Sequence, residues 1–215
     1  RRVLFRSADG LRVTDAPTLE IAAAVLAGLA NKRLVAALRA RGADAVGLSV
    51  LDGGIVRARR HAQTAVLGEV GEVESVDASL LETLVVTGRM PVLASLGDDG
   101  AGALLNLNAD DVAAAIAAAL PAGDLVLLSD TPGLKLGGEV VRDVRADELP
   151  ALLEHPEVLG GMRPKLRAAG TALAAGVRRV HIAAWQGPGT LAALLAGTGR
   201  ATTLHAAPLT EESHA

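Results

Sequence analysis

"LNLNADDVAAAIAAAL" (105–120) is the stretch on which the fold turns. Its first residues read as the end of a short strand. From Ala109 the Ala-rich run reads as a strong helix with Asn108 at its cap. A strand that runs straight into a helix is the repeating unit of an α/β protein. The same pattern recurs on both sides. Upstream, "AVGLSV" (45–50) and "MPVLASL" (90–96) are short apolar runs of the kind buried strands show. "GGIVRAR" and "GEVGEVESV" alternate between turn glycines and predict antiparallel strands or a hairpin. Thr14-Asp15-Ala16-Pro17 predicts a helix start, with Asp15 as N-cap. Ile21, Val25, Leu26, Leu29, Leu34, Val35 and Leu38 continue that helix until Gly42. A further helix is predicted over 77–88. Downstream, "DLVLLSD" (124–130) and "RRVHIAA" (178–184) predict strands, with a hairpin at "TPGLKLGGEVV" and helices near 147–154, 161–175 and 188–196. The expectation is a three-layer αβα sandwich with a mainly parallel central sheet.

Bulk composition narrows the function. The chain has 215 residues, 50% hydrophobic and 21% charged, with a net charge of −3. Aromatic residues make up 1%, which argues against base-stacking platforms, and no basic run points to nucleic acid. The absence of Cys removes disulfides, thiolate zinc sites and Cys nucleophiles. No apolar run reaches the roughly 18 residues of a membrane span. A cytoplasmic enzyme or binding protein is the expectation.

Ligands of parallel α/β sheets bind at the carboxyl ends of strands and at helix N-termini. Three stretches fall there. "NLNAD" places Asn106, Asn108 and Asp110 at the mouth of the Ala-rich helix. "LLSDTPG" places Ser129, Asp130 and the Pro132-Gly133 turn at the end of the next strand. "GGMRPKL" places Lys165 inside a Gly-rich helix start, where a Lys suits phosphate. Each has a plain alternative. Asn108 can be only a cap, Asp110 only a dipole-favoured acid, Lys165 only a solvated side chain, and "TPGLKLGG" only a turn. None is a Walker loop. His61, His155, His181, His205 and His214 fit no catalytic pattern, and His181 reads as a packed strand residue.

Taken in order, "GLRVTD" (10–15), "TLEIAAAVLAGLANKRLV" (18–35), "AVGLSVLDGG" (45–54), "LGEVGEVESV" (67–76), "MPVLASLG" (90–97), "LNLNADDVAAAIAAAL", "LLSDTPGL" (127–134), "GGMRPKLRAAGTALAAGV" (160–177) and "VHIAAW" (180–185) resemble the acetylglutamate kinases of the amino-acid kinase family. The resemblance implies transfer of the ATP γ-phosphoryl group to the side-chain carboxylate of N-acetyl-L-glutamate, in arginine biosynthesis. It implies that Arg12 pairs with a substrate carboxylate and Asn106 holds the acetylglutamate, with Asn108 close by. Asp110 would organise the catalytic lysines, and Lys165 would neutralise charge on the transferred phosphoryl. Residues 129–135, with Gly161 and Met162, would line the ATP site, with Mg2+ held mainly by the nucleotide phosphates. A homo-oligomer is implied as well. Residues 8–120 would form the acetylglutamate-binding part and 121–204 the ATP-binding part, with 205–215 a polar tail.

Departures from the family pattern accompany the likeness. Val50 stands where a Gly is common, and "IAAWQGPG" lacks an Asp-Gly-Arg often found there. The family's first strand, its Lys-x-Gly-Gly loop and a second Gly-Gly loop would all precede Gly10, so the domain reads as N-terminally truncated and inactive by itself. "RVLFRS" (2–7) is also what a common sequencing-adapter tail spells in one frame, and residues 1–7 read as a non-native leader. The nearest rival activity is a kinase for aminoadipate or glutamate held on a carrier protein. A non-catalytic amino-acid or nucleotide sensor is the alternative from another class. Sequencing the source DNA upstream of codon 8 is expected to break the continuity of these codons; an unbroken frame to an initiator Met would refute the leader.

Overall fold

The structure, a computed structural model, describes residues 7–8 and 11–206. Most of the expected leader and the end of the polar tail, residues 1–6 and 207–215, lie outside the described residues. The described residues group into two compact units that divide between Leu120 and Pro121.

In the first unit, β1 (Ser7–Ala8) pairs antiparallel with β2 (Leu11–Arg12), placing Ser7 opposite Arg12. Asp15 then caps α1 (Ala16–Ala22), its carboxylate accepting the Thr18 N–H at 2.9 Å, and Pro17 sits in the first turn. The helix continues through a π-helical segment (Ala23–Ala30) into α2 (Asn31–Arg39). There follow β3 (Ala45–Ser49), β4 (Val56–Arg60), the short α3 (Thr64–Leu67), β5 (Val70–Val76), α4 (Ser79–Val86), β6 (Met90–Ala94), β7 (Leu96–Asp98), β8 (Leu104–Leu107) and α5 (Ala109–Ala119). β3 and β6 pair in parallel. A four-stranded sheet runs β4-β5-β8-β7, with β5 and β8 parallel and the two outer pairs antiparallel. Leu105 and Leu107 of β8 meet Val56, Ala58, Leu81 and Val112 in one apolar core. Each such side chain contributes about 1.5–3 kcal/mol when fully buried, so β8 is fixed from both of its neighbours. That leaves the intervening Asn106 at a defined place.

The helix Ala16–Arg39 departs from expectation. Its apolar residues follow the helical spacing read from sequence, and Ile21, Val25, Leu26, Leu29 and Leu34 are exposed. Its most apolar 18-residue window has a mean hydropathy of 1.6, so by length and composition it is long and apolar enough to cross a membrane, contrary to the sequence reading. Three hydrogen bonds tie it to the strands. The buried Asn31 donates to the Leu48 and Val92 carbonyls at 3.2 and 2.8 Å, bridging β3 and β6, and Lys32 donates to the Gly47 carbonyl at 2.9 Å.

The second unit contains β9 (Asp124–Ser129), a hairpin of β10 (Lys135–Leu136) and β11 (Glu139–Val140), β12 (Asp143–Arg145), α6 (Leu149–Leu153), α7 (Met162–Ala174), β13 (Arg179–Ala184), α8 (Thr190–Leu195) and β14 (Thr202–His205). Its sheet runs β12-β14-β13-β9; β9 is parallel to β13, β12 is parallel to β14, and β13 and β14 are antiparallel. The fold class is α/β with parallel-rich sheets, as the sequence indicates. The sequence reading omits β12 and β14, and His205, assigned there to the tail, ends β14.

His181 is 1% exposed and its ring nitrogens meet Asp124 at 3.0 Å and Thr203 at 3.1 Å. It is a packed strand residue. Asp124 also accepts from Arg179 at 2.7 and 3.2 Å. Those Arg179 bonds, aided by His181, hold the Asp124 carboxyl below the usual carboxylate range despite partial burial. A depressed folded pKa contributes stability above the unfolded value, about 3.9, and that contribution is lost as pH falls through the folded value. Asp124→Asn is therefore expected to flatten the acid-side fall of the melting temperature. Thermal melts of both proteins from about pH 6 to about pH 2 check this, and equal acid slopes would contradict it.

Candidate functional site

The polar residues of the first unit converge on Thr14, which is 1% exposed. The Thr14 N–H donates to the Leu67 carbonyl at 2.8 Å, and its carbonyl accepts from Glu69 N–H at 2.7 Å. Between them Gly68 holds a φ of +74°, and a Cβ there would collide with the Thr14 carbonyl oxygen, so only glycine allows the approach. The Thr14 hydroxyl donates to the Arg12 carbonyl at 3.2 Å and accepts from Asn106 Nδ2 at 3.0 Å. Arg12 and Asn106, both singled out by sequence, are thus linked through one side chain. Arg12 itself is exposed and its guanidinium reaches Ser7 Oγ at 3.4 Å.

Asn108 follows β8 directly. Its side-chain oxygen accepts the N–H groups of Asp110 and Asp111 at 2.8 and 3.2 Å, so it is the cap of α5. The cap commits that oxygen and leaves the amide NH2 to serve any ligand. Asp110 lies half-buried in the first turn, where the helix dipole favours a carboxylate.

In the second unit, Ser129 ends β9 and donates to Asp130 at 3.1 Å. Thr131 and Pro132 are half-buried, whereas Gly133 and Leu134 are buried and Lys135 opens β10 exposed. Gly161 caps α7, and Met162 and Lys165 lie in its first turn, both half-buried. A cation at this helix end opposes the helix dipole by about 0.3–1 kcal/mol. Sequence reasoning missed two residues, Thr14 and Thr202. Thr14 was visible only as the start of a helix, and Thr202 fell in a strand too short to read. Among the described residues, no group of three or more His, Asp or Glu side chains is placed to hold a metal ion.

Polar residues at strand ends beside helix N-termini are the arrangement in which α/β proteins commonly receive anionic ligands. The chain belongs to the amino acid kinase family, whose pattern it matches over residues 3–184. It is 45% identical over 185 residues to an acetylglutamate kinase of Symbiobacterium thermophilum, covering 81% of this chain and 63% of that protein. An acetylglutamate kinase of Methanopyrus kandleri is 45% identical over 191 residues, covering 85% of this chain and 78% of that one. The chain therefore spans less than two thirds of the first relative's length. Among solved structures, smu.665 from Streptococcus mutans UA159 superposes with a TM-score of 0.81 at 28% identity, over 95% of this chain and 78% of that one.

The cap geometry makes a direct prediction. Asn108→Ala should lower stability by about 1 kcal/mol through loss of the cap, whereas Asn108→Asp should retain most of it. Urea unfolding of the three proteins checks this; an Asp variant as unstable as the Ala variant would count against the cap.

Proposed function

We propose that the protein is a kinase that transfers the γ-phosphoryl group of ATP to the side-chain carboxylate of N-acetyl-L-glutamate, forming N-acetyl-L-glutamyl 5-phosphate for arginine biosynthesis. The observation that carries the reading is the 45% identity to acetylglutamate kinases, within which Arg12 and Asn106 meet at Thr14. Arg12 would bind a substrate carboxylate through its planar fork. Asn106 would hold the acetylglutamate, and the Asn108 amide NH2 would add a donor nearby. Ser129 to Lys135, with Gly161 and Met162, would receive ATP. Lys165, in the first turn of α7, would meet the phosphate oxygens as a point charge.

The chemistry asks little of a base. The acceptor carboxylate is already ionised near neutral pH. Its oxygen forms a bond to Pγ while the bond from Pγ to the bridging β,γ-oxygen breaks, and ADP leaves with that electron pair. Positioning and positive charge around the phosphoryl oxygens supply the catalysis. Lys165 would provide such charge, and Asp110 and Lys165 are the catalytic residues of this reading. Mg2+ would arrive on the nucleotide phosphates, since the described residues assemble no carboxylate cage. The cytoplasm is the proposed compartment. A homo-oligomer is proposed too, with the exposed apolar residues of Ala16–Arg39 as surface for it to cover.

The full-length protein, given ATP, N-acetylglutamate and hydroxylamine, should yield a hydroxamate from the trapped acyl phosphate. No hydroxamate here, but product from a carrier-linked aminoadipate or glutamate, would transfer the assignment to the rival kinase. No product from either acid would favour a sensor. Asp110→Asn and Lys165→Ala should each lower kcat at least about 100-fold while melting temperatures stay close to the parent's. Equal losses of activity and stability would make both residues structural.

A further inference from the structure

We infer that Thr202 is a positioning residue for the nucleotide: its hydroxyl rivets the base of the loop that carries Ser129 to Lys135. The inference rests on the proposed assignment of that loop to ATP. Thr202 is 0% exposed and opens β14, far along the chain from the loop it serves. Its hydroxyl donates to the Val141 carbonyl at 2.6 Å and accepts the Leu134 N–H at 2.8 Å. Val141 N–H in turn donates to the Leu134 carbonyl at 2.9 Å. The two ends of the β10–β11 hairpin are therefore closed on each other and on one hydroxyl.

Gly133 completes the joint. Its φ is +148°, and a Cβ there would lie 2.8 Å from the Thr202 backbone nitrogen. The loop can approach β14 only as glycine. Neighbouring Leu134 is 1% exposed, so neither the N–H of Leu134 nor its side chain has water to fall back on. A buried donor with its partner removed must find another partner, and here that means moving the backbone. The backbone that moves is the segment directly after Ser129, Asp130 and Thr131, whose side chains bond to one another in the turn. Thr202 touches no reacting atom. It sets where the loop backbone stands when a phosphate arrives.

The test uses the full-length protein titrated with the non-hydrolysable nucleotide AMP-PNP and Mg2+ by calorimetry. Thr202→Val keeps the shape and omits the hydroxyl; it should weaken AMP-PNP binding about tenfold. Thr202→Ser, which restores the hydroxyl, should stay within about threefold of the parent. The KM for N-acetylglutamate should be unchanged, and amide exchange should rise at Leu134 in the Val variant alone. Should Thr202→Val fail to fold, Thr202→Ala makes the same comparison without the second methyl. Equal weakening by Ser and Val, or matching losses for both substrates, would overturn the inference, as would parental affinity in the Val variant. A parent that binds no AMP-PNP would instead bring down the nucleotide assignment, and this inference with it.

Discussion

The Thr14 side chain is buried where three segments of the first unit meet, and its single hydroxyl has one proton to give. That proton goes to the Arg12 carbonyl, which leaves the oxygen to accept from Asn106. Reversing the arrangement would leave a buried group unpaired, at about 1–3 kcal/mol. The Asn106 amide is consequently held with its nitrogen toward Thr14. The strand before the helix, the turn at Leu67–Glu69 and the end of β8 are all pinned to the same few atoms. Loops at strand ends carry ligands well only when a rigid scaffold fixes them. Here the scaffold reaches them through one residue.

The second unit solves a similar problem with a similar part. Thr202 is buried, β-branched and at a strand start, and it too bonds backbone from segments distant in sequence. Threonine suits both places because its methyl packs against the apolar interior while its hydroxyl satisfies buried peptide groups. Serine would leave the methyl's space empty, and valine would leave the peptide groups unmet. Both threonines lie beside a glycine with positive φ, Gly68 and Gly133, so the bond and the close approach work together.

What could be read from sequence was local. Asp15 and Asn108 announce their helices because a cap bonds residues two or three positions away. The strands β3, β6, β9 and β13 were legible as buried apolar runs. β14 was not, since "TTLH" is short and half polar, and it exists because its neighbours β12 and β13 supply partners on both sides. Asn106, Asp110 and Lys165 stood out at strand ends and helix starts and Arg12 through the ordered resemblance, but the links that hold Arg12 and Asn106 together were invisible. Thr14 and Asn106 are 92 residues apart, and no periodicity reports a bond of that span. The exposed face of Ala16–Arg39 was equally hidden, because helical spacing shows which residues share a side without showing what covers it.

The winding of that helix has one more consequence. Leu19, in its first turn, and Asn31, where α2 begins, are its two buried residues. Under α-helical winding each residue advances about 100°, so residues twelve apart would point about 120° away from each other. The π segment Ala23–Ala30 lies between them, and its wider i→i+5 closure makes each residue advance less. The lag accumulates over the segment and brings the second anchor round toward the first. The segment behaves as a phase adjuster, letting one rod meet the protein at two points that an evenly wound helix would miss.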